Sequence, residues 1–589
     1  MSFPSLRAFV EGLEAAGELK RIAAPVSCLL EATEIADRVS KSPAARVSAH
    51  APAFDPLHHD AGGHALLFED VRLPEGSGAA CPLLMNAFGS YTRIEMALGC
   101  DGEAGGLEAL ADRVASLVKP EPPATLMDKV KKGLELARVA GLPPKVVKSG
   151  PCQEVVQTAD QIDLLSLPVI KCWPDDGDPR ACGFHLSPEQ AGTAAGRGRY
   201  ITLAGVYTIH PDDAGKPAGD PRPSRNVGMY RAQLIDRNKT AMHWHLHHDG
   251  AAHWRAWKAH DDAARARGER PPGMPCAIVL GGESVLPYAA TAPMPPGISE
   301  LILAGFLQGS AVRLVRAKTI DVDVPAEAEI VIEGHVATDA GGPGIDAEGL
   351  ARALRHDGGE PGAEVAGLLR GSVLEGPFGD HTGFYSLPDR YPVFTASALT
   401  HRRDPLYPAT IVGLPPQEDY FLGKATERIF LPLLRTLVPD VLDYDLPRFG
   451  CFHNAVFVKI KKSYPLQARR VMHAIWGAGQ MAWTKLIVVV DHDVDVHDHE
   501  AVLFHAAANA DPGRDLELVH GPLDILDHAA PRLGGGTKLG IDATPKWPGE
   551  EVNGAAVRAW PNRLAMDAGV RARVDARWSE LFPAASRGT

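Results

Sequence analysis

The sequence is most informative first in what it lacks. Its eight cysteines are scattered singly, with no CxxC pair. That pattern excludes a disulfide frame or a zinc knuckle and fits reduced thiols in a cytosolic protein. No long basic run occurs and the formal net charge is −13, which argues against a nucleic-acid binder, whose phosphate contacts need clustered Lys and Arg. No apolar stretch is long enough to span a bilayer. Met1-Ser2-Phe3-Pro4 lacks a charged segment followed by an apolar run, so no signal peptide is expected. Two glycine-rich segments, Gly423-Lys424-Ala425 and Gly534-Gly535-Gly536-Thr537-Lys538, do not fit GxxxxGK[ST], and no GxGxxG follows a strand. A P-loop and a standard dinucleotide fold are therefore rejected. No internal repeat is visible.

What is present is ample for real cores. The chain has 589 residues, 45% of them hydrophobic, enough for three or four domains. Leu6, Phe9, Val10 and Leu13 fall on one helical face, with Gly17 as the stop. Leu107, Leu110, Val114 and Leu117 mark a second amphipathic helix, and the runs at 65–68 and 82–85 read as strands. These elements describe an N-terminal α/β domain over 1–150, closing near Leu142-Pro143-Pro144. From about Cys152, short apolar runs (200–203, 276–280, 312–315, 329–332) alternate with Gly, Pro and Asp, the pattern of a β-rich, barrel-like domain over 151–413. Two stretches, near 210–224 and 338–369, look inserted and are expected at the surface as lids or oligomer contacts. After about Leu414 the texture returns to α/β, over 414–565. It comprises a helix at 425–437, a strand at 454–460, a helix at 466–476, the continuous run Leu486-Ile487-Val488-Val489-Val490 typical of a buried parallel strand, and a helix at 500–508. The Arg/Ala-rich tail, 566–589, reads as helical.

The chain is organised around Leu374-Glu375-Gly376-Pro377-Phe378-Gly379-Asp380-His381-Thr382-Gly383. Two carboxylates five residues apart, among three glycines and a proline, read as a tight turn aiming both acids into one cavity. Such neighbours resist ionising together, so one pKa is expected to rise and leave a proton to donate near pH 7. A solvated acidic turn is the plain alternative. Five histidines lie between 243 and 253. With an amide oxygen and a carboxylate they suit a manganese- or magnesium-like cation; exposed histidines on a strand are the alternative. Glu300 precedes the apolar helix 301–307, where the helix dipole favours an acid in any case. Lys485 precedes the strand at 486, where it is either solvated or set to meet a phosphate.

Together the segments Glu-Gly-Pro-Phe-Gly-Asp at 375–380, Asn-Val-Gly-Met-Tyr-Arg at 226–231, Pro-Gly-Ile-Ser-Glu at 296–300, Thr484-Lys485 and the run from Gly540 to Gly549 resemble UbiD-type decarboxylases. The resemblance covers roughly 5–550 and rests on five ordered motifs. It implies an α/β fold with a central split-barrel-like flavin-binding domain. It also implies prenylated FMN, a flavin with an extra ring, held through a Mn²⁺ (or Mg²⁺) ion on its phosphate with K⁺ nearby. It makes Asn226, His247 and Glu300 the metal ligands, with His248 as the alternative to His247. It makes Asn226, Val227, Gly228, Met229, Arg231, His247 and Lys485 cofactor contacts. Arg231, Glu375 and Asp380 become the catalytic trio, and Leu422 lines the substrate pocket. Because Asn226 and Arg231 differ by five, a regular strand would point them to opposite faces.

The expected activity is reversible decarboxylation of an aromatic (or α,β-unsaturated) acid, in menaquinone or ubiquinone biosynthesis. The partners implied are the acid, CO₂, a flavin prenyltransferase and further copies of the chain, from dimer to hexamer. The rivals are a flavin-independent metal hydrolase and a non-catalytic flavin-binding or assembly subunit.

Overall fold

A computed structural model describes residues 2–118, 142–184, 186–217, 220–245, 248–294, 298–340, 369–551 and 557–582. Most of the expected insertion at 338–369 lies outside the described residues. Helix α1 (Leu6–Ala15) forms on the face anticipated, with Leu6, Phe9, Val10 and Leu13 buried and the Ser5 hydroxyl accepting from the Ala8 N–H. Strands β1 (Leu19–Ile22), β2 (Ala65–Phe68) and β3 (Leu83–Met85) make a small sheet. Its fourth strand, Tyr407–Pro408, returns from far downstream to pair with β3. Helices α2 (Tyr91–Leu98) and α3 (Leu107–Val118) follow.

The central sheet uses β4 (Val155–Thr158), β5 (Tyr200–Ile201), β6 (Gly205–Thr208), β7 (Asn226–Met229), β8 (Ala232–Leu234) and β9 (Lys239–Met242). After helix α4 (Asp249–Ala266) come β10 (Met274–Gly281), helix α5 (Glu300–Gln308), β11 (Ala328–Val336), β12 (Ser372–Glu375) and β13 (Asp389–His401). The hydrogen-bonded order is β7-β6-β10-β11-β13-β9-β8-β5, with β4 and β12 also on β13. β7 and β8 are thus six strand spacings apart, about 29 Å in a flat sheet. Yet only Tyr230 and Arg231 separate them in the chain, and three peptide units reach about 11 Å at most. The sheet must curl until its ends meet. The short link from β5 to β6 imposes the same closure. β10 is buried along both faces. Ala277 and Val279 join one core, and Cys276, Ile278 and Leu280 the other.

The stretch near 210–224 lies at the surface, with Asp212, Pro217 and Pro221 exposed, but two of its charged side chains tie it down. Asp213 and Arg222 are buried. Asp213 takes the Ser224 N–H, and Arg222 reaches the Asp321 carboxylate at 2.8 Å. Two opposite charges spaced along a Pro- and Gly-rich stretch gave no pattern from which such anchoring could be read.

Helix α6 (Glu418–Leu437) begins seven residues before the apolar pattern suggested. Its first two turns are anchored by polar groups instead. Glu418 takes the Phe88 N–H at 2.8 Å, and the Tyr420 hydroxyl donates to Asp55 at 2.8 Å. Beyond it stand β14 (Val441–Asp445), β15 (Ala455–Ile460), helix α7 (Gln467–Trp476), β16 (Leu486–Val490), helix α8 (His499–Asn509), β17 (Leu516–Pro522) and β18 (Gly535–Asp542). Their order is β14-β15-β16-β18-β17. β15, β16 and β18 run parallel, and the flanking strands run antiparallel. Helix α9 (Ala568–Leu581) buries none of its residues. No helix among the described residues is long and apolar enough to cross a membrane.

The α6–β14 junction is held by charge inside the core. Lys424 Nζ lies 2.8 Å from Glu427 and 2.6 Å from Asp445, and all three side chains are at most 3% exposed. Replacing Lys424 with Met removes the ammonium shared by two buried carboxylates and leaves Glu427 to Arg428 and Asp445 to His497 and His499. It is expected to destabilise the protein by about 3–5 kcal/mol, read as a lowered midpoint in thermal or urea unfolding.

Candidate active site

The β7–β8 link places Arg231 where the curled sheet closes. Strand β7 ends at Met229, and Tyr230 and Arg231 lie outside both strands, so the alternation expected of one regular strand does not run through to Arg231. Its side chain is 8% exposed and extends to the loop after β12. Nε and Nη2 grip the two oxygens of Glu375 at 3.1 and 3.0 Å, a fork-on-fork pair. Nη1 reaches Asp380 Oδ2 at 2.5 Å and Nη2 reaches Ser386 Oγ at 3.0 Å. The guanidinium also lies over the Phe378 ring, 4.7 Å from its centre.

The acid-bearing stretch is only partly a turn. Glu375 is the last residue of β12, paired with Asp389 across the ladder, and the loop begins at Gly376. A Cβ at Gly376 would fall 2.5 Å from the Gly177 backbone, which requires glycine there. The loop is pinned from several sides. Gln233 accepts the Gly376 N–H, the Tyr200 hydroxyl donates to the Gly376 carbonyl, and the buried Asp176 accepts the Gly379 N–H at 2.8 Å.

The expectation that one of the two acids holds a proton near pH 7 is overturned. Burial pushes both carboxyls up, but cations outweigh it. Arg231 and His243 hold Glu375 at about 2. The hydrogen bond from His381, with the charge of Arg231, holds Asp380 at about 2. The guanidinium lies between the acids and separates two charges that would otherwise repel. The proton next to Asp380 resides on His381. Burial works against it there, but the Asp380 hydrogen bond raises the imidazole to about 9.

The histidines near 243 are not exposed strand residues. His243 and His245 lie beyond the end of β9. Burial, aided by Arg231, lowers the His243 pKa; burial, aided by His243 and His248, lowers that of His245. His243 Nδ1 lies 2.7 Å from Glu375 Oε2, and its Nε2 lies 2.7 Å from His245 Nε2. A ring that donates Nδ1–H to the carboxylate has a bare Nε2, so it accepts from His245. This role of His243, and those of Ser386, Asp176 and His381, were not foreseen. The only signal was the alternating histidines, which suited a metal set equally well.

Asn226 and Glu300 do come together. Asn226 opens β7 and Glu300 opens α5, and Glu300 Oε2 accepts the Val227 N–H at 2.9 Å. Burial pushes the Glu300 carboxyl up to about 7, with Asp249 adding to the effect. The Tyr230 ring lies against Gly228, where a Cβ would be 2.3 Å from the ring. Its hydroxyl meets the Asn226 side chain and the Gly250 N–H near the start of α4. Val227 and Met229 line an apolar hollow with Leu203, Tyr207, Val279 and Leu286. His247 lies outside the described residues. His248 caps α4, and its ring stacks on His245 with centres 4.8 Å apart. Lys485 is 38% exposed and pairs with Asp527 at 2.8 Å. Among the described residues no hydrogen bond or ion pair joins it to Asn226, Glu300 or Arg231. Leu422 is buried in α6, in the core cluster that includes Tyr420 and Phe421.

Three family models match the chain in order. They are the 3-octaprenyl-4-hydroxybenzoate carboxy-lyase N-terminal domain at residues 10–114, the Rift-related domain at 145–415 and the C-terminal domain at 420–543. An uncharacterized protein of Aquifex aeolicus is 41% identical over 579 residues, covering 98% of this chain and 99% of its own. One from Archaeoglobus fulgidus is 39% identical over 584 residues, covering 99% of each. Among solved structures, the closed form of Sedimentibacter hydroxybenzoicus vanillic acid decarboxylase superposes with a TM-score of 0.70 at 22% identity, covering 99% of this chain and 100% of that one. The evolved dimeric UbiD-class enzyme HmfF of Pelotomaculum thermopropionicum, in complex with prFMN, gives 0.62 at 23% identity, covering 97% and 98%.

A depressed carboxyl contributes stability above its unfolded pKa, and that contribution is lost as pH falls toward the folded value. For Glu375 the window runs from about 4.5 down to about 2. Glu375→Gln is therefore expected to unfold at a lower temperature than the wild type, by a constant margin above pH 5. The margin should narrow steadily below pH 4.5 in calorimetric scans.

Proposed function

The chain belongs to the UbiD family of carboxy-lyases, and on that footing we propose that it reversibly decarboxylates an aromatic, or α,β-unsaturated, carboxylic acid with prenylated FMN. One observation carries this reading: a buried arginine held by two ionised acids at the seam of the curled sheet. When bound, the flavin supplies an electron-accepting ring for the pair left on carbon as CO₂ departs.

The donor set fits such a group. Asn226 and Glu300 present hard oxygen donors side by side, and Glu300 is buried with a backbone N–H as its hydrogen-bond donor. A Mn²⁺ or Mg²⁺ ion on a phosphate would satisfy that carboxylate. We assign Asn226, Glu300 and His247 to the metal and Lys485 to the phosphate. Val227, Gly228 and Met229 would contact the flavin, with K⁺ as a further ion, and Leu422 would back the substrate.

Arg231 then exchanges partners. A substrate carboxylate competes with Asp380 for Nη1 while Glu375 keeps its two-point grip and the orientation it imposes. Asp380, deprived of that cation and facing a second anion, is driven up toward protonation. Its Oδ1 stays fixed by the His381 Nδ1–H, 3.0 Å away, so Oδ2 is left to hold the proton that replaces CO₂ on carbon. In the carboxylating direction the same oxygen takes the proton back.

The coarse activity extends to finer assignments on indirect support. Asp at 380 and the 418–428 segment suit a quinone-pathway acid, either a naphthoate of menaquinone synthesis or a prenylated hydroxybenzoate of ubiquinone synthesis. Eight free cysteines, six of them buried, suit a reducing cytoplasm. The bare apolar face of α9, with Trp578 56% exposed, suits assembly with further copies. A flavin prenyltransferase would supply the cofactor.

The test is an acid panel with the flavin-loaded protein, scored by CO₂ release and by deuterium exchange into the ring. Asp380→Asn is expected to slow both by about 10²–10⁴ with the flavin absorbance unchanged, and Arg231→Met to abolish both. Equal rates for Asp380→Asn and wild type, or a purified protein without flavin absorbance, would refute the reading.

A further inference from the structure

Among the described residues, two groups of metal-capable side chains converge apart from Asn226 and Glu300. Glu427, Asp445 and His497 are buried together, but the Lys424 ammonium already sits among them. The other group is His381, His453 and Asp524, which is partly exposed and crosses from one sheet to the other. His381 stands on the loop after β12, His453 on the turn before β15, and Asp524 just after β17.

The orientation of the two rings is the informative feature. His381 Nδ1 lies 3.0 Å from a carboxylate oxygen of Asp380, and His453 Nδ1 lies 2.7 Å from the Cys451 carbonyl. Both partners accept only, so each ring donates through Nδ1 and turns Nε2 toward the other; without a cation the His453 Nε2–H gives to the Asp524 carboxylate, and a metal would take the place of that proton. The two Nε2 atoms stand 3.4 Å apart, and Asp524 Oδ2 lies 2.6 Å from that of His453. Metal-bound histidines are oriented in this way, the far N–H given to a carboxylate or a backbone carbonyl. With tetrahedral bonds of about 2.0–2.1 Å, neighbouring donors stand about 3.3 Å apart. The His381–His453 spacing already matches, and Asp524 would retreat by about 0.7 Å to reach it.

We propose that His381, His453 and Asp524 form a second metal site, taking a borderline divalent cation of the zinc type with one coordination position open. Two imidazoles and one carboxylate select such an ion over Mn²⁺ or Mg²⁺, which the oxygen donors at Asn226 and Glu300 suit better. The site is separate from the flavin reading and stands without it. A cation there would fasten the loop carrying Asp380 to the C-terminal sheet and fix the Asp380 carboxyl through His381.

The test uses full-length protein, purified with whatever flavin it carries, stripped with a chelator and reloaded with Zn²⁺ in excess Mg²⁺. The wild type should retain one zinc per chain through gel filtration, with two imidazole nitrogens in its X-ray absorption spectrum and a thermal midpoint raised by zinc. His453→Ala and the milder Asp524→Asn should each weaken zinc binding at least tenfold and lose the thermal shift, whereas Glu300→Gln should keep both. Equal zinc retention in wild type and both variants, or none in the wild type, would overturn the proposal and leave a hydrogen-bonded imidazole pair.

Discussion

The structure turns on one guanidinium. Arg231 sits where a sheet of many strands closes on itself, and it keeps two buried carboxylates ionised within reach of each other. Neither acid would stay charged in that environment alone, because burial raises both. Glu375 is set by the end of β12, and Asp380 by the loop that Asp176, Gln233 and Tyr200 hold against Gly177. The site is thus a charge cluster fixed by backbone geometry. The chemistry proposed for it turns on a new anion competing for the same cation.

Much of this was legible in the sequence. The helices over Leu6–Ala15 and Gln467–Trp476 and the strand Leu486–Val490 formed where apolar periodicity put them, since their burial is one-faced or complete. The acids at 375 and 380 were visible as a pair, and the motifs named Arg231 as their partner. What was not legible depends on contacts across 130 residues or more. His243 meets Glu375, and Arg231 adds to the neighbouring His381 in lowering an acid that local reasoning said would rise. The start of α6 was missed because its first turns are held by Glu418, Tyr420 and Lys424 through polar partners, and hydrophobic periodicity is blind to those. The anchoring of the stretch near 210–224 was hidden for the same reason: one aspartate and one arginine tie it down.

Helix α6 connects the parts. Its first turns hold the N-terminal region through Phe88 and Asp55, and its later turns open the C-terminal sheet through Asp443, Tyr444 and Asp445. The loop at 524–528 comes back from that sheet, so that Asp524 meets His453 and the His528 ring meets Phe384 at 3.9 Å. Side chains from both sheets thereby meet at His381, the imidazole that hydrogen-bonds Asp380.

The two-residue link between β7 and β8 has a further consequence, for the order in which the chain can assemble. β6 with β7, and β8 with β9, are local hairpins that can pair as soon as they are made. They hang from a hinge at Tyr230–Arg231 until β10, β11 and β13 arrive to bridge them. The partners of the hinge arginine follow 144 and 149 residues later. Such distant closures are slow compared with hairpin formation. During synthesis the arginine emerges well before either carboxylate, so the region that becomes the candidate active site is among the last of the sheet to take its final form.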